Sequence, residues 1–330
     1  MSVPGSRNGG STAAEIVFKD VTKRYAGRPR PAVDSLSLVI PAGEICVLVG
    51  PSGAGKTTAM KMVNRLIDIS EGDIEIDGRS VRQLDITELR RGIGYVIQQI
   101  GLFPHMSVGD NIAVVPRLLG WPKARIRSRI DELLDLVGLE RGDRKRYPAQ
   151  LSGGQRQRVG LARALAADPP LMLMDEPFGA LDPITRDRLQ NEFLRLHREV
   201  RKTVIFVTHD IDEAIKLGDR IAILREGGVL AQYDTPDAIL AAPADEFVAR
   251  FVGADRGLKR LALRTLAEVE LDSLDGGRSD GPRVPRQTTL RDALSLMLTE
   301  GTREVIVVGD RGEALGLLSF ERVSDLLARR

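Results

Sequence analysis

Gly50-Pro51-Ser52-Gly53-Ala54-Gly55-Lys56-Thr57 is a stretch whose residue types suit a phosphate chain. Glycines let consecutive backbone N–H groups turn inward around an anion, and a helix that starts there adds partial positive charge. The Lys56 ammonium would reach the outer phosphates of a nucleoside triphosphate, and the Thr57 hydroxyl would hold Mg²⁺. The flanks agree: Ile45–Val49 predicts a buried strand before the loop, and Thr58–Val63 predicts a helix after it. A tight strand-to-helix turn that binds nothing is the plainer reading, and the completeness of the spacing argues against it.

Other residues could act on what such a loop binds. Asp175 and Glu176 end the apolar run Leu171–Met174, so they should project at the carboxyl edge of a sheet, where open α/β sheets bind ligands. Asp175 would suit Mg²⁺ held together with Thr57. Glu176 could polarise an attacking water, by general base catalysis or by orienting it. His209 follows the apolar strand Thr203–Val207 and should reach the same edge, where an imidazole could sense the outermost phosphate. Gln98, after the strand Ile93–Ile97, could orient water or bind Mg²⁺ through its amide. Taken singly, each is also what a solvated strand end looks like. Leu151-Ser152-Gly153-Gly154-Gln155 is the more diagnostic piece. Ser152 is a natural N-cap, and the two glycines would offer a second set of N–H donors at a second helix start. Two phosphate-seeking surfaces so far apart in one chain suit a head-to-tail pair of copies, each closing the other's site.

The elements that must position these residues read as an α/β protein. Short apolar runs before and between amphipathic helices predict a largely parallel sheet covered on both faces. Ile126, Ile130, Leu133, Leu134 and Val137 recur at helical spacing in a helix-rich stretch of about 100–165. Residues 1–14, rich in Gly, Ser and Ala, read as a disordered tail, and 271–285 is polar enough for a linker. At 330 residues the chain has room for a large and a small domain. Its net charge of +2 argues for no nucleic-acid partner. Cys46 is the only cysteine, so there is no internal disulfide and no cysteine metal cluster, and its place in an apolar strand predicts a buried hydrophobe. No window approaches an uninterrupted membrane-spanning run.

Together these motifs resemble the nucleotide-binding subunits of ATP-binding cassette (ABC) transporters. The resemblance covers roughly residues 15–255. It implies a P-loop NTPase cassette with a mixed, largely parallel sheet flanked by helices and a helical subdomain. Tyr25 matches the aromatic that stacks on adenine, and Gly50–Thr57, followed by Thr58, matches the Walker A loop. Gln98 matches the Q-loop, Leu151–Gln155 the signature, Leu171–Asp175 Walker B, and Glu176 the catalytic glutamate. Ala180-Leu181-Asp182 matches the D-loop and His209 the switch histidine. The family implies ATP and Mg²⁺ as cofactors, a homodimer of ATPase subunits, integral-membrane permease subunits as partners and, through them, a substrate-binding protein. It also implies a peripheral position at the cytoplasmic face of the inner membrane.

A narrower similarity, carried by Ile93–His105 and Phe251–Arg260, is to the ATPases of quaternary-amine importers for glycine betaine, choline, carnitine or proline betaine. After a linker at 256–283, residues 284–330 resemble a single cystathionine-β-synthase-type (CBS) repeat, where such importers commonly carry two. The expected domains are therefore a tail, a cassette at 15–255, a linker and a small α/β module. An importer ATPase for another small solute such as an amino acid stays open as an alternative. A soluble ABC ATPase acting on DNA or ribosomes fits less well, because the chain has neither two cassettes nor a long coiled-coil insertion. A nucleotide sensor working through the C-terminal module is disfavoured by the complete catalytic set.

Overall fold

The computed structural model describes residues 13–97, 101–179, 181–274 and 281–328. The expected Q-loop residue Gln98, Ala180 of the expected D-loop and most of the expected N-terminal tail lie outside the described residues. Packing divides the chain into two compact units between Tyr233 and Asp234.

In the first unit, β1 (Ile16–Lys23) and β2 (Val33–Ile40) precede β3 (Ile45–Val49) and α1 (Lys56–Val63). Next come β4 (Glu71–Ile76), β5 (Arg79–Ser80), α2 (Ile86–Arg91) and β6 (Ile93–Val96). A run of helices follows: α3 (Val108–Leu118), α4 (Lys123–Leu136) and α5 (Gly153–Leu165). The unit closes with β7 (Leu171–Asp175), α6 (Pro183–Val200), β8 (Thr203–Val207), α7 (Ile211–Leu217), β9 (Arg220–Arg225) and β10 (Val229–Asp234).

These strands form two sheets rather than one. A six-stranded sheet has the order β10-β9-β3-β8-β7-β6. In it β3 runs parallel to β8 and β9, β7 to β8, and β6 to β7. Strands β3, β7 and β8 are buried at every residue, as uninterrupted apolar runs covered on both faces must be. A second sheet, β2-β1-β4-β5, is antiparallel throughout. Its β2 alternates buried and open positions, the pattern of a strand with one face against the core. Both sheets share a core in which Ile16, Phe18 and Leu36 meet Leu48, Met60 and Ile205. Cys46 is fully buried there, and burial pushes its thiol pKa up to about 12.

Parallel pairing decides where the chemistry goes. Val207 of β8 stands opposite both Leu48 of β3 and Asp175 of β7. The residues that follow these strands, Gly50, Glu176 and His209, therefore emerge at one sheet edge.

The second unit contains α8 (Pro236–Ala241), α9 (Glu246–Val252), α10 (Arg256–Leu261), β11 (Arg283–Pro285), α11 (Leu290–Glu300), β12 (Glu304–Val308), β13 (Ala314–Ser319) and α12 (Phe320–Ala328). Strand β11 pairs parallel with β12, and β12 antiparallel with β13. The cassette was expected to extend to 255 and a linker to occupy 256–283. The structure instead groups α8 and α9 with the small module, and α10 lies inside the expected linker. The cause is apolar spacing: Leu261 and Leu266 are buried in one core with Val284, Leu290, Met297, Val305 and Leu318. Arg260 on α10 also holds Asp237 on α8 at 2.8 Å. The most polar part of the expected linker, 275–280, lies outside the described residues.

Candidate active site

The loop after β3 needs glycine for steric reasons at two points. At Gly50, φ is +154° and an added Cβ would stand 2.2 Å from the Leu224 carbonyl oxygen. At Gly55, φ is +76° and the same atom would stand 2.1 Å from the Ala32 carbonyl oxygen. Gly55 is also the N-cap of α1, and no side chain caps that helix. Its first-turn N–H groups thus face the loop cavity without a side-chain acceptor of their own, the arrangement that receives an anion.

Lys56 is the first residue of α1 and is buried. Its ammonium donates to the carbonyls of Gly50 and Pro51 at 2.8 and 2.9 Å, so it is held inside the loop's curve. Burial lowers its pKa, and the carboxylates of Glu176 and Asp175 oppose that shift. Thr57 donates through Oγ1 to Asp175 Oδ1 at 2.9 Å, joining two motifs 118 residues apart. Burial raises the Asp175 pKa, against the Thr57 hydrogen bond and the Lys61 and Lys56 ammoniums. Lys61 Nζ lies 4.0 Å from Asp175 Oδ2.

Glu176 follows with φ +44°, a left-handed backbone that a non-glycine residue adopts only under constraint. Its N–H donates to the Val207 carbonyl at 3.0 Å, and its own carbonyl accepts from Gly179 at 3.2 Å. His209 Nδ1 lies 3.3 Å from Glu176 Oε1. The switch-histidine and catalytic-glutamate candidates therefore touch directly.

A cavity of about 530 Å³ joins these parts, within the usual range for small-molecule sites. Its walls include Tyr25, Ser52, Lys56, Thr57, Glu176 and His209, and Gly53, Ala54, Gly55 and Thr58 complete the loop side. Arg28 and Ala32 also line it, and the sequence reading had not singled them out. The Arg28 guanidinium lies 5.8 Å from the Tyr25 ring centroid. Its only advance signal was a cation three residues after the proposed aromatic.

Ser152, Gly153, Gly154, Gln155 and Asp182 do not line this cavity. Ser152 caps α5 in a reciprocal box: its hydroxyl accepts from Gln155 N at 3.2 Å, and Gln155 Oε1 accepts from Ser152 N at 3.0 Å. Asp182 caps α6 by accepting from Thr185 N at 3.0 Å, and that backbone bond lowers its pKa. Asn111 was missed altogether. It is fully buried on α3, where its side chain accepts from Phe103 N and donates to the carbonyls of Phe103, Met106 and Ser107. The signal was a polar residue on the apolar face of a helix.

The donor set tests whether Mg²⁺ fits. Thr57 and Asp175 supply only oxygen, the ligand type a hard cation takes. No cluster of three or more His, Cys, Asp or Glu suited to a metal occurs among the described residues. That matches an ion held by one carboxylate, one hydroxyl, waters and substrate phosphates rather than by a protein cage.

A Gly-rich loop from a buried parallel strand into an uncapped helix, with a strand-end acid on its Lys-Thr, defines a P-loop nucleoside triphosphatase. Residues 33–179 match the ABC transporter family. The osmoprotectant import ATP-binding protein OsmV of Salmonella typhimurium is 50% identical over 309 residues, spanning 92% of this chain and 78% of that protein. The glycine betaine uptake system ATP-binding protein YehX of Escherichia coli is 48% identical, spanning 93% and 98%. A dimeric post-hydrolysis state of the ATP-binding cassette MJ0796 bound to ADP and Pi superposes with a TM-score of 0.59 at 36% identity, covering 67% of this chain and 98% of that one. The chain belongs to the ABC transporter ATP-binding proteins, and it is an ATPase of that type.

Proposed function

We propose that this protein is the ATP-hydrolysing subunit of an importer for a quaternary-amine osmoprotectant such as glycine betaine, choline or carnitine. One observation carries the catalytic part: Lys56, Thr57, Glu176 and His209 line a single cavity, and Asp175 is bonded to it through Thr57. The similarity to OsmV and YehX supports the cargo class.

In this reading the loop N–H groups and Lys56 bind the phosphate chain of ATP, and Tyr25 stacks on the adenine. Thr57 and Asp175 hold Mg²⁺, with Gln98 as a further ligand; the ion neutralises charge on the phosphates when bound. Glu176 accepts a hydrogen bond from the attacking water and orients it toward the γ-phosphorus. His209 holds the Glu176 carboxylate and senses the γ-phosphate. A second copy presents Ser152, Gly153, Gly154 and Gln155 to that phosphate, with Asp182 beside it. Closure of the two copies drives permease subunits in the membrane, which a substrate-binding protein loads. No helix among the described residues is long and apolar enough to cross a membrane. The likeness to importer ATP-binding proteins supports a peripheral position at the cytoplasmic face of the inner membrane, held by its permease. Residues 284–330, with α11, β12, β13 and α12 in that order, would form a single CBS-like repeat.

Co-purification with the permease tests the reading. Binding protein loaded with glycine betaine, choline or carnitine should stimulate ATP hydrolysis. Stimulation by an amino acid and by none of the quaternary amines would replace the cargo while leaving the ATPase in place.

A further inference from the structure

Gln157 lies on α5, a short way into the helix that Ser152 caps. Its Nε2 donates to the Pro177 carbonyl at 2.5 Å, a bond between α5 and the turn that follows β7. The other atom of the same amide, Oε1, is buried and accepts from no group among the described residues. The wall around it is mostly apolar, with Val96, Leu161, Met174 and Phe178. The charged neighbours there, Arg158 and Glu192, pair with each other at 2.9 Å. An unmet buried oxygen is unfavourable, so packing alone would favour an aliphatic residue at this position. What the glutamine contributes is its N–H.

That N–H fastens the carbonyl of the residue that follows the strained one. Glu176 is held on one side by the Val207 carbonyl, and the turn it opens is closed by the Gly179 N–H. Beyond it, Phe178 is anchored against Phe206 and Phe193 at centroid distances of 5.9 and 6.3 Å. Pro177 has no N–H to offer, so its polar restraint is the bond from Gln157 to its carbonyl, while the Phe178 carbonyl accepts separately from the Leu181 N–H at 3.3 Å. Left-handed backbone at a non-glycine persists only when the surroundings over-determine it.

We propose that Gln157 is a positioning residue for hydrolysis: its bond to Pro177 sets the backbone that aims Glu176, so the seat of α5 on the end of β7 governs the catalytic carboxylate. This rests on the assignment of Glu176 as the residue that orients water. Movement of the helix that begins at Ser152 reaches Glu176 through this bond.

The test uses the full chain with Mg²⁺ and ATP, comparing Gln157→Leu, Gln157→Met and Glu176→Gln with the wild type. Both Gln157 variants should lower kcat by roughly tenfold or more, as a misplaced catalytic group does. Their KM for ATP should stay within about twofold, the split that marks an interaction used in the transition state. Their Tm should hold or rise, because both side chains remove the unmet oxygen. A purely structural glutamine would lose Tm and kcat together, and that result overturns the proposal, as does unchanged kcat in both variants. Wild-type hydrolysis by Glu176→Gln overturns the assignment of Glu176 itself; a dead Glu176→Gln beside fully active Gln157 variants overturns only the inference.

Discussion

The N-termini of α1 and α5 look alike in sequence and differ in structure. Each follows a glycine-containing loop that the residue types predict will seek phosphate. Helix α1 starts at Gly55, which offers no side chain, and the start faces the cavity shared by Glu176 and His209. Helix α5 starts at Ser152, whose hydroxyl and backbone N–H are both engaged with Gln155 in a capping box. Glycine content alone therefore does not measure readiness for an anion. What counts is whether the helix start has already found acceptors within its own chain. The first terminus is kept open by omitting a cap. The second is partly closed: the box engages the N–H groups of Ser152 and Gln155 and does not reach those of Gly153 and Gly154.

The sharpest way to break this contrast is at the open end. Glu176→Gln should reduce ATP hydrolysis by on the order of 10³, with ATP still bound and the protein held as an ATP-bound dimer in sedimentation. Turnover at the wild-type rate would remove Glu176 from the chemistry. Gly55→Ala should destabilise the chain by about 3 kcal/mol in denaturant titrations, from positive φ and a Cβ driven into the Ala32 carbonyl. At the closed end, Ser152→Ala should cost about 1 kcal/mol through the lost cap. It should impair hydrolysis while leaving ATP affinity of the isolated monomer unchanged, and hydrolysis independent of protein concentration would argue against any two-copy site.

The smallest expected effect concerns Asp175. Burial raises its folded pKa above the unfolded value, so the folded state holds the proton more tightly. Its penalty is thus absent below the unfolded pKa and grows as pH rises toward the folded one. Asp175→Asn should raise the nucleotide-free Tm slightly at neutral pH, with the gain shrinking as pH falls into the carboxylate range. A Tm gain that grows in acid would contradict this sign.

Much of the site was legible because its residues sit beside strong local signals. Lys56 and Thr57 close a glycine loop after an all-apolar strand, and Asp175, Glu176 and His209 directly follow others. Asn111 and Gln157 gave no such signal. Their partners are backbone carbonyls of remote or irregular segments, and a polar side chain inside a helix does not announce which carbonyl it will meet. The boundary after Tyr233 was hidden for a related reason. A short helix at Arg256–Leu261 resembles linker composition until Leu261 and Leu266 are seen in the core of the later strands.

By itself, the sequence determined the buried strands, the helix starts and the identity of the phosphate loop, because these follow from apolar runs, caps and glycine spacing within a few residues. Only the tertiary structure decided that the strands split into a largely parallel and an antiparallel sheet. It alone put Thr57 on Asp175 and Glu176 on His209. Those outcomes depend on strand register and on which hydrogen-bond donors are satisfied first, quantities set by packing between segments distant in the chain.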